Sequence, residues 1–292
     1  MTFPATPRRS FLALLTLCLA STAAPLGPAA DTAKPSSEDI LRLHLRTRVE
    51  PFKGSKAWDE VTLTKDFAAR ETAIIVCDMW DKHWCQKASE RCAELAKKME
   101  EVLKSARAQG VLIVHAPSEC MEFYKATPQR RRLADVQRVK PPQPVEIAEP
   151  PLPVDASDGG CDDAKPDREH RTWTRQHAAL TIGDEDGISD NGEEIYSLFK
   201  ERGIKNVLMM GVHTNMCVLG RSFAIRQMTR WGMRCVLVRD LTDAMYNPKK
   251  SPFVSHEAGT ELIVQHIEKY WCPTILSNDL LQAKKEVPQN NR

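Results

Sequence analysis

The sequence lacks a surplus of either charge. Its 292 residues carry 41 Lys and Arg against 39 Asp and Glu, and residues 1–30 hold two of the arginines and no acid, so the remainder is balanced. That balance gives no reason to expect nucleic acid or an anionic membrane surface as a partner. The basic cluster Arg130-Arg131-Arg132 is local and reads as a solvated loop face. No Cys-x-x-Cys or His-x-x-x-His spacing occurs. The acidic stretch from Asp155 to Asp163 lacks the twelfth-position glutamate of an EF-hand, so it reads as a plain turn. No metal and no cofactor is expected. There is no internal repeat, and the apolar stretch Phe11 to Ala20 is far short of the ~18–20 residues that cross a bilayer.

What that stretch does have is a targeting pattern. Arg8-Arg9-Ser10-Phe11-Leu12 precedes it and small residues continue through Ala30. This reads as a cleaved signal over 1–30 of the twin-arginine type, which exports folded proteins to the bacterial periplasm. Cys18 follows Leu17 rather than a small residue, against lipid attachment, and no stable membrane insertion is expected after cleavage.

Residues 31–70 read as a linker with an added antiparallel strand or two. Residues 71–285 form the main domain, an α/β fold. Five or six apolar runs alternate with amphipathic segments, predicting a three-layer Rossmann-like arrangement: a mostly parallel five- or six-stranded sheet with helices on both faces. Cys92, Leu95, Met99, Val102 and Leu103 make a helical stripe ending at Gly110. Asp190 with Glu193 predicts a capping box for a helix that stops at Gly203. Another helix spans 254–270 and leads into a short strand over 273–276. The stretch 120–171 interrupts this pattern. Eight of the 19 prolines fall between Pro128 and Pro166, and a connection of that length is expected to be a lid over the ligand-binding edge. Of the eight cysteines after residue 30, Cys120 and Cys161, at the two ends of the insertion, are the expected disulfide pair. Cys85 and Cys92, seven residues apart on one helix, lie too far apart to bond.

Cys217 is the residue that points to chemistry. It lies between the apolar run Asn206 to Met210 and a helix expected over 214–231, so it sits at a strand end and in the first turn of a helix. The helix dipole and free N–H groups there favour a thiolate. Thr72 to Cys77 is a second strand-like run, and it delivers Asp78 at its own end. In an open parallel sheet such ends meet at the ligand-binding edge, where a carboxylate can take a thiol's proton and return it to a leaving group.

The run Ile74-Ile75-Val76-Cys77-Asp78-Met79-Trp80 and the run Gly211-Val212-His213-Thr214-Asn215-Met216-Cys217-Val218-Leu219-Gly220 together resemble the isochorismatase-like cysteine hydrolases, which include nicotinamidases and related amidases. Val236 to Asp240 is a weaker third match. The resemblance implies an Asp–Lys–Cys triad, with Asp78 as base and Cys217 as nucleophile. It also implies a thioester intermediate, an oxyanion hole from the N–H groups of Cys217 and His213, and a cis Val212–His213 peptide. Two departures stand out. Where the family has its lysine, this sequence has Arg175, which binds charge but cannot shuttle a proton; Lys82 and His177 are the other candidates. The nicotinamidase Asp-x-His metal cluster is reduced to the single His115, so nicotinamide is not the expected substrate.

Trp80, His83 and Trp84, just past Asp78, are expected to wall the pocket, with His115 and His177 as further lining residues. The reading is an exported hydrolase cleaving a C–N amide bond of a small molecule, as a homo-oligomer. The rival is a non-catalytic small-molecule binding protein on the same fold, favoured by the missing lysine. A third reading pairs Cys217 with Cys77 or Cys235 in redox chemistry.

Overall fold

The computed structural model describes residues 40–281, so the expected signal segment lies outside the described residues. Six strands run parallel: β3 (Thr72–Cys77), β4 (Leu112–Ala116), β5 (Gly187–Ile188), β6 (Asn206–Val212), β7 (Arg234–Asp243) and β8 (Thr274–Ile275). The hairpin of β1 (Ile40–Val49) and β2 (Asp59–Ala68) adds two antiparallel strands by pairing β1 with β8. The sheet therefore holds eight strands, in the order β2-β1-β8-β7-β6-β3-β4-β5, larger than the five or six expected.

β3 and β6 are buried at every position because both faces of the sheet are covered. Ala73, Ile75 and Cys77 face one layer, packed with α4 (Gly192–Glu201), α6 (Ile225–Arg230) and α7 (His256–Tyr270) through Phe199, Met228 and Ile267. Ile74 and Val76 face the other, against α1 (Gln86–Ala108) through Cys92, Ala96, Met99 and Leu103. Leu41 and Leu43 of β1 complete that second layer.

Local details depart from the sequence reading at three places. Asn191, not Asp190, caps α4: its side chain accepts from the N–H groups of Glu193 and Glu194. Asp190 instead accepts from the Glu119 N–H at 2.8 Å. The single helix expected over 214–231 is broken into α5 (Cys217–Gly220) and α6, with Arg221 extended at φ −63°, ψ 158° between them. The expected disulfide is also replaced. Cys161 is bonded to Cys85, with Cα atoms 5.7 Å apart, while Cys120 is a free, buried thiol.

The reason for that pairing lies in the path of the insertion. After α2 (Met121–Tyr124) and α3 (Pro128–Ala134) the chain forms no helix or strand until β5. It runs as a strap, buries Val136 and Val154 in the core, and gives its Val145 N–H to the Arg230 carbonyl at 3.0 Å. It then reaches the start of α1, whose first N–H groups have no capping side chain of their own. Asp163 supplies the cap, accepting from Gln86 N at 2.8 Å and Lys87 N at 3.0 Å. Asp162 grips Arg91 with both carboxylate oxygens, at 3.1 and 3.0 Å. Together these contacts bring Cys161 to Cys85 and away from Cys120. No helix among the described residues is long and apolar enough to cross a membrane.

Candidate active site

β3 is flanked by β4 on one side and β6 on the other, so the strand order reverses between β3 and β6. Open α/β sheets bind ligands at such a switch point, beyond the carboxyl ends of the strands. The two ends approach closely here. A Cβ on Gly211 would lie 2.0 Å from the Cys77 carbonyl oxygen, and its φ of +119° suits only glycine.

Asp78 leaves β3 with φ +46°, a left-handed conformation costly for most residues, though aspartate tolerates it better than most. This turn carries a fully buried carboxylate into the switch point. Its Oδ1 accepts the Ser118 N–H at 2.7 Å, and its Oδ2 accepts from Arg221 Nε at 3.0 Å. The Cys217 thiol and this carboxylate lie close enough to shift each other's proton affinity. The Val212–His213 peptide is cis, as the resemblance implied. Met216 and Val218 both donate their N–H groups to the His213 carbonyl, at 3.0 and 3.2 Å, which closes the loop. As the first residue of α5, Cys217 presents an N–H with no intrahelical acceptor.

The electrostatics differ from the expected thiolate. Burial pushes the Cys217 thiol up to about 12, and the neighbouring Asp78 charge pushes in the same direction against Arg221. α5 spans four residues, too short for its dipole to overcome that desolvation. Burial also raises the Asp78 carboxyl, opposed by the Arg221 guanidinium. At rest the site holds a neutral thiol beside a carboxylate–guanidinium pair. A carboxylate with raised proton affinity is the better acceptor for a thiol proton as that thiol attacks.

Arg221 is the cation of the site, and the sequence reading missed it. Arg175 is half-exposed; its Nε lies 4.0 Å from Asp81 Oδ2 and its guanidinium covers the Phe123 ring at 5.6 Å. Lys82 is exposed, and the His177 ring accepts the Ala179 N–H at 3.2 Å. Among the described residues none of these three hydrogen-bonds Asp78 or Cys217. The missed signal is one of spacing: Arg221 follows Cys217 by four residues, so a helical turn puts the two on one face.

Trp80, His83 and Trp84 lie together in the structure, joined by Trp173. Trp80 stacks on Trp173 at 4.2 Å between ring centroids, and His83 continues the stack against Trp173 at 5.9 Å. Trp84 and His213 flank His83 at 5.3 and 5.0 Å. Trp80 packs in one apolar cluster with Cys217, and Arg221 lies 6.0 Å over its ring. His213 is buried and neutral, held down to about 3 by desolvation, and burial likewise lowers His83 to about 4. Two atoms of this cluster, His213 Nε2 and Trp173 Nε1, are buried without a hydrogen-bond partner. His115 is not part of it. Its ring is fully buried, with Nδ1 2.9 Å from Gln176 Oε1 and Nε2 2.9 Å from Asp186 Oδ2, so both nitrogens are committed within the protein.

One cluster among the described residues has metal-ligand character: Cys85, Cys161 and Asp163. Its sulfurs are joined to each other and its carboxylate caps α1, so its donors are already committed.

No family model and no curated protein matches the sequence. Solved structures similar to this chain include a cysteine hydrolase from Pseudomonas syringae pv. phaseolicola 1448A, 15% identical over 74% of this chain and 92% of that one, with a TM-score of 0.46. An isochorismatase-like hydrolase from Alkaliphilus metalliredigens is 15% identical over 74% of this chain and 97% of its own, TM-score 0.44. An isochorismatase from Pseudomonas putida KT2440 is 12% identical over 72% and 90%, TM-score 0.43. The latter two carry the name of the family that the sequence motifs resemble.

Proposed function

We propose that this chain is an exported cysteine hydrolase of the isochorismatase-like class that cleaves a C–N amide bond of a small molecule. The observation that carries the reading is the convergence of Cys217, Asp78 and Arg221 at the switch point of the sheet. In the reaction the Cys217 sulfur attacks the substrate carbonyl carbon while Asp78 takes the thiol proton. The N–H groups of Cys217 and His213 receive the developing oxyanion. Asp78 then gives its proton to the leaving nitrogen, the C–N bond breaks and a thioester remains. Water, deprotonated by Asp78, attacks the thioester; the acid product leaves and the thiol is regenerated. Arg221 keeps Asp78 oriented and offsets negative charge as it moves between sulfur and carboxylate.

Export rests on the twin-arginine pattern and is supported by the Cys85–Cys161 disulfide, since such bonds persist in oxidising compartments. The strap is the pocket's wall in this reading, acting as a lid through Trp173. The decisive experiment incubates the purified protein with a panel of small amides and looks for a covalent acyl adduct on Cys217 by intact mass. Turnover in wild type, lost in Cys217→Ala, supports the reading. Turnover that survives Cys217→Ala overturns it.

The binding-protein reading has one observation behind it: the thiol is held up to about 12, with an arginine where the family has its lysine. Ligand retention without turnover, equal in wild type and Cys217→Ala, would establish that alternative.

A further inference from the structure

Two free thiols lie on neighbouring segments of chain away from the candidate active site. β7 and β8 pair Leu237 with Thr274 and Val238 with Ile275. The Leu237 N–H donates to the Pro273 carbonyl at 3.1 Å, so the two chains still run side by side one residue before β8. Cys235 and Cys272 stand two residues upstream of the Leu237–Thr274 pair, one on each chain. Side chains alternate along a strand, so Cys235 faces the same side as Leu237. Cys272 is buried in that same layer of the core. Adjacent strands lie ~4.7–4.9 Å apart, inside the ~4.4–6.8 Å between Cα atoms that a disulfide spans.

Both residues also line a surface cavity of about 310 Å³, shared with Met233, Trp271 and Pro273. The cavity brings solvent up to two residues that are otherwise only 4% and 7% exposed. Cys235 Sγ lies 4.0 Å from the Ile225 carbonyl and near the Thr229 side chain, and Cys272 Sγ lies near the Leu237 N–H. These are weak contacts to sulfur, which closing the pair exchanges for a covalent bond.

We propose that Cys235 and Cys272 are a redox-responsive cysteine pair, which closes to a disulfide when a small-molecule or protein disulfide accepts their electrons. One cysteine, as thiolate, attacks the oxidant's disulfide and releases its first thiol, leaving a mixed disulfide. The second cysteine then attacks the protein sulfur of that mixed disulfide and releases the other thiol. The pair loses two protons and two electrons, and the oxidant's S–S bond gains both. The closed bond ties the chain leaving α7 to β7, beside the last strand of the parallel sheet. Burial pushes both thiols upward, so the first attack accelerates as the pH rises.

The test treats the folded full-length protein with oxidised glutathione at about pH 8.5, near the free thiol's ordinary range. The sample is acid-quenched, alkylated in denaturant and mapped by peptide mass spectrometry. The expected result is a cross-linked peptide joining Cys235 to Cys272, alongside the Cys85–Cys161 peptide, and lost on adding dithiothreitol. In Cys272→Ser the cross-link should vanish and Cys235 should carry glutathione instead. Recovery of both wild-type cysteines as separate alkylated or separately glutathionylated peptides overturns the proposal. So does a cross-link from either one to any other cysteine. The wild-type map decides the matter even if the variant fails to fold.

Discussion

Arg221 Nε lies 3.0 Å from Asp78 Oδ2, while the Arg175 guanidinium lies beside Asp81 and over the Phe123 ring. The buried carboxylate thus takes its counter-charge from the segment that carries Cys217. Arg221→Gln should leave that carboxylate without its cation and reduce kcat/KM on the order of 10²–10³-fold. Arg175→Gln should change it only a few-fold. Steady-state kinetics on any substrate found decides between them, and the reverse ranking would restore Arg175 to the site.

Cys217→Ala should abolish turnover and alter unfolding free energy by no more than ~1–2 kcal/mol, since one sulfur is removed from a partly open position. Because burial holds the thiol up to about 12, alkylation of Cys217 by iodoacetamide should be slow near pH 7 and rise steadily into the alkaline range. Rapid, selective labelling at neutral pH would contradict this account of the resting state.

The acid limb of activity should belong to Asp78. Its carboxyl is raised by burial, so the proton-accepting form is lost as the pH falls through that raised value. His83 and His213, held down to about 4 and about 3, are neutral above those values. His213→Gln should therefore change the rate without moving the limb. A limb shifted by that substitution would place the titration on histidine.

The same histidines bear on stability with a definite sign. His83, His213 and His266 are all lowered by burial, to about 4, 3 and 4. The unfolded chain binds their protons near pH 6.5 and the native one does not, so stability declines as the pH falls from about 6.5 toward 4. Urea midpoints across that window should fall with pH, and His266→Phe should flatten the slope. A midpoint constant from pH 7 to 4 would sink the prediction.

Gly160 fixes the strap against the loop after β7. A Cβ there would come 2.3 Å from the Met245 carbonyl oxygen, with φ at +70°. Gly160→Ala should cost more than ~2 kcal/mol, because neither backbone can give way. Cys161→Ser should lower the melting point as well, with a loss of the ~2–4 kcal/mol of stability usual for a disulfide. Differential scanning calorimetry on both variants measures this directly; unchanged transitions would mean that the strap is only loosely attached.

Much of the fold was legible because parallel strands buried on both faces leave continuous apolar runs, as β3 and β6 do. Asp78 and Cys217 were legible for the same reason: each follows such a run, and strand ends converge. Arg221 was legible only through its four-residue spacing from Cys217, a weak signal beside Arg175, because an arginine one turn along a helix is more often solvated than turned onto a buried carboxylate. The partner of Cys161 was hidden too. A proline-rich strap has no periodicity, and its course is set by Asp162 and Asp163 finding Arg91 and the bare start of α1. His115 misled in the opposite way, being a strand-end histidine whose ring turns into the protein.

The break after α5 has a mechanical meaning. Cys217 and Arg221 ride on one short elbow, while Asp78 is anchored to β3 and to the Ser118 amide. A single turn of chain therefore delivers both the thiol and the counter-ion of the carboxylate, closed on itself by the Arg221 N–H donating to the Cys217 carbonyl at 3.1 Å.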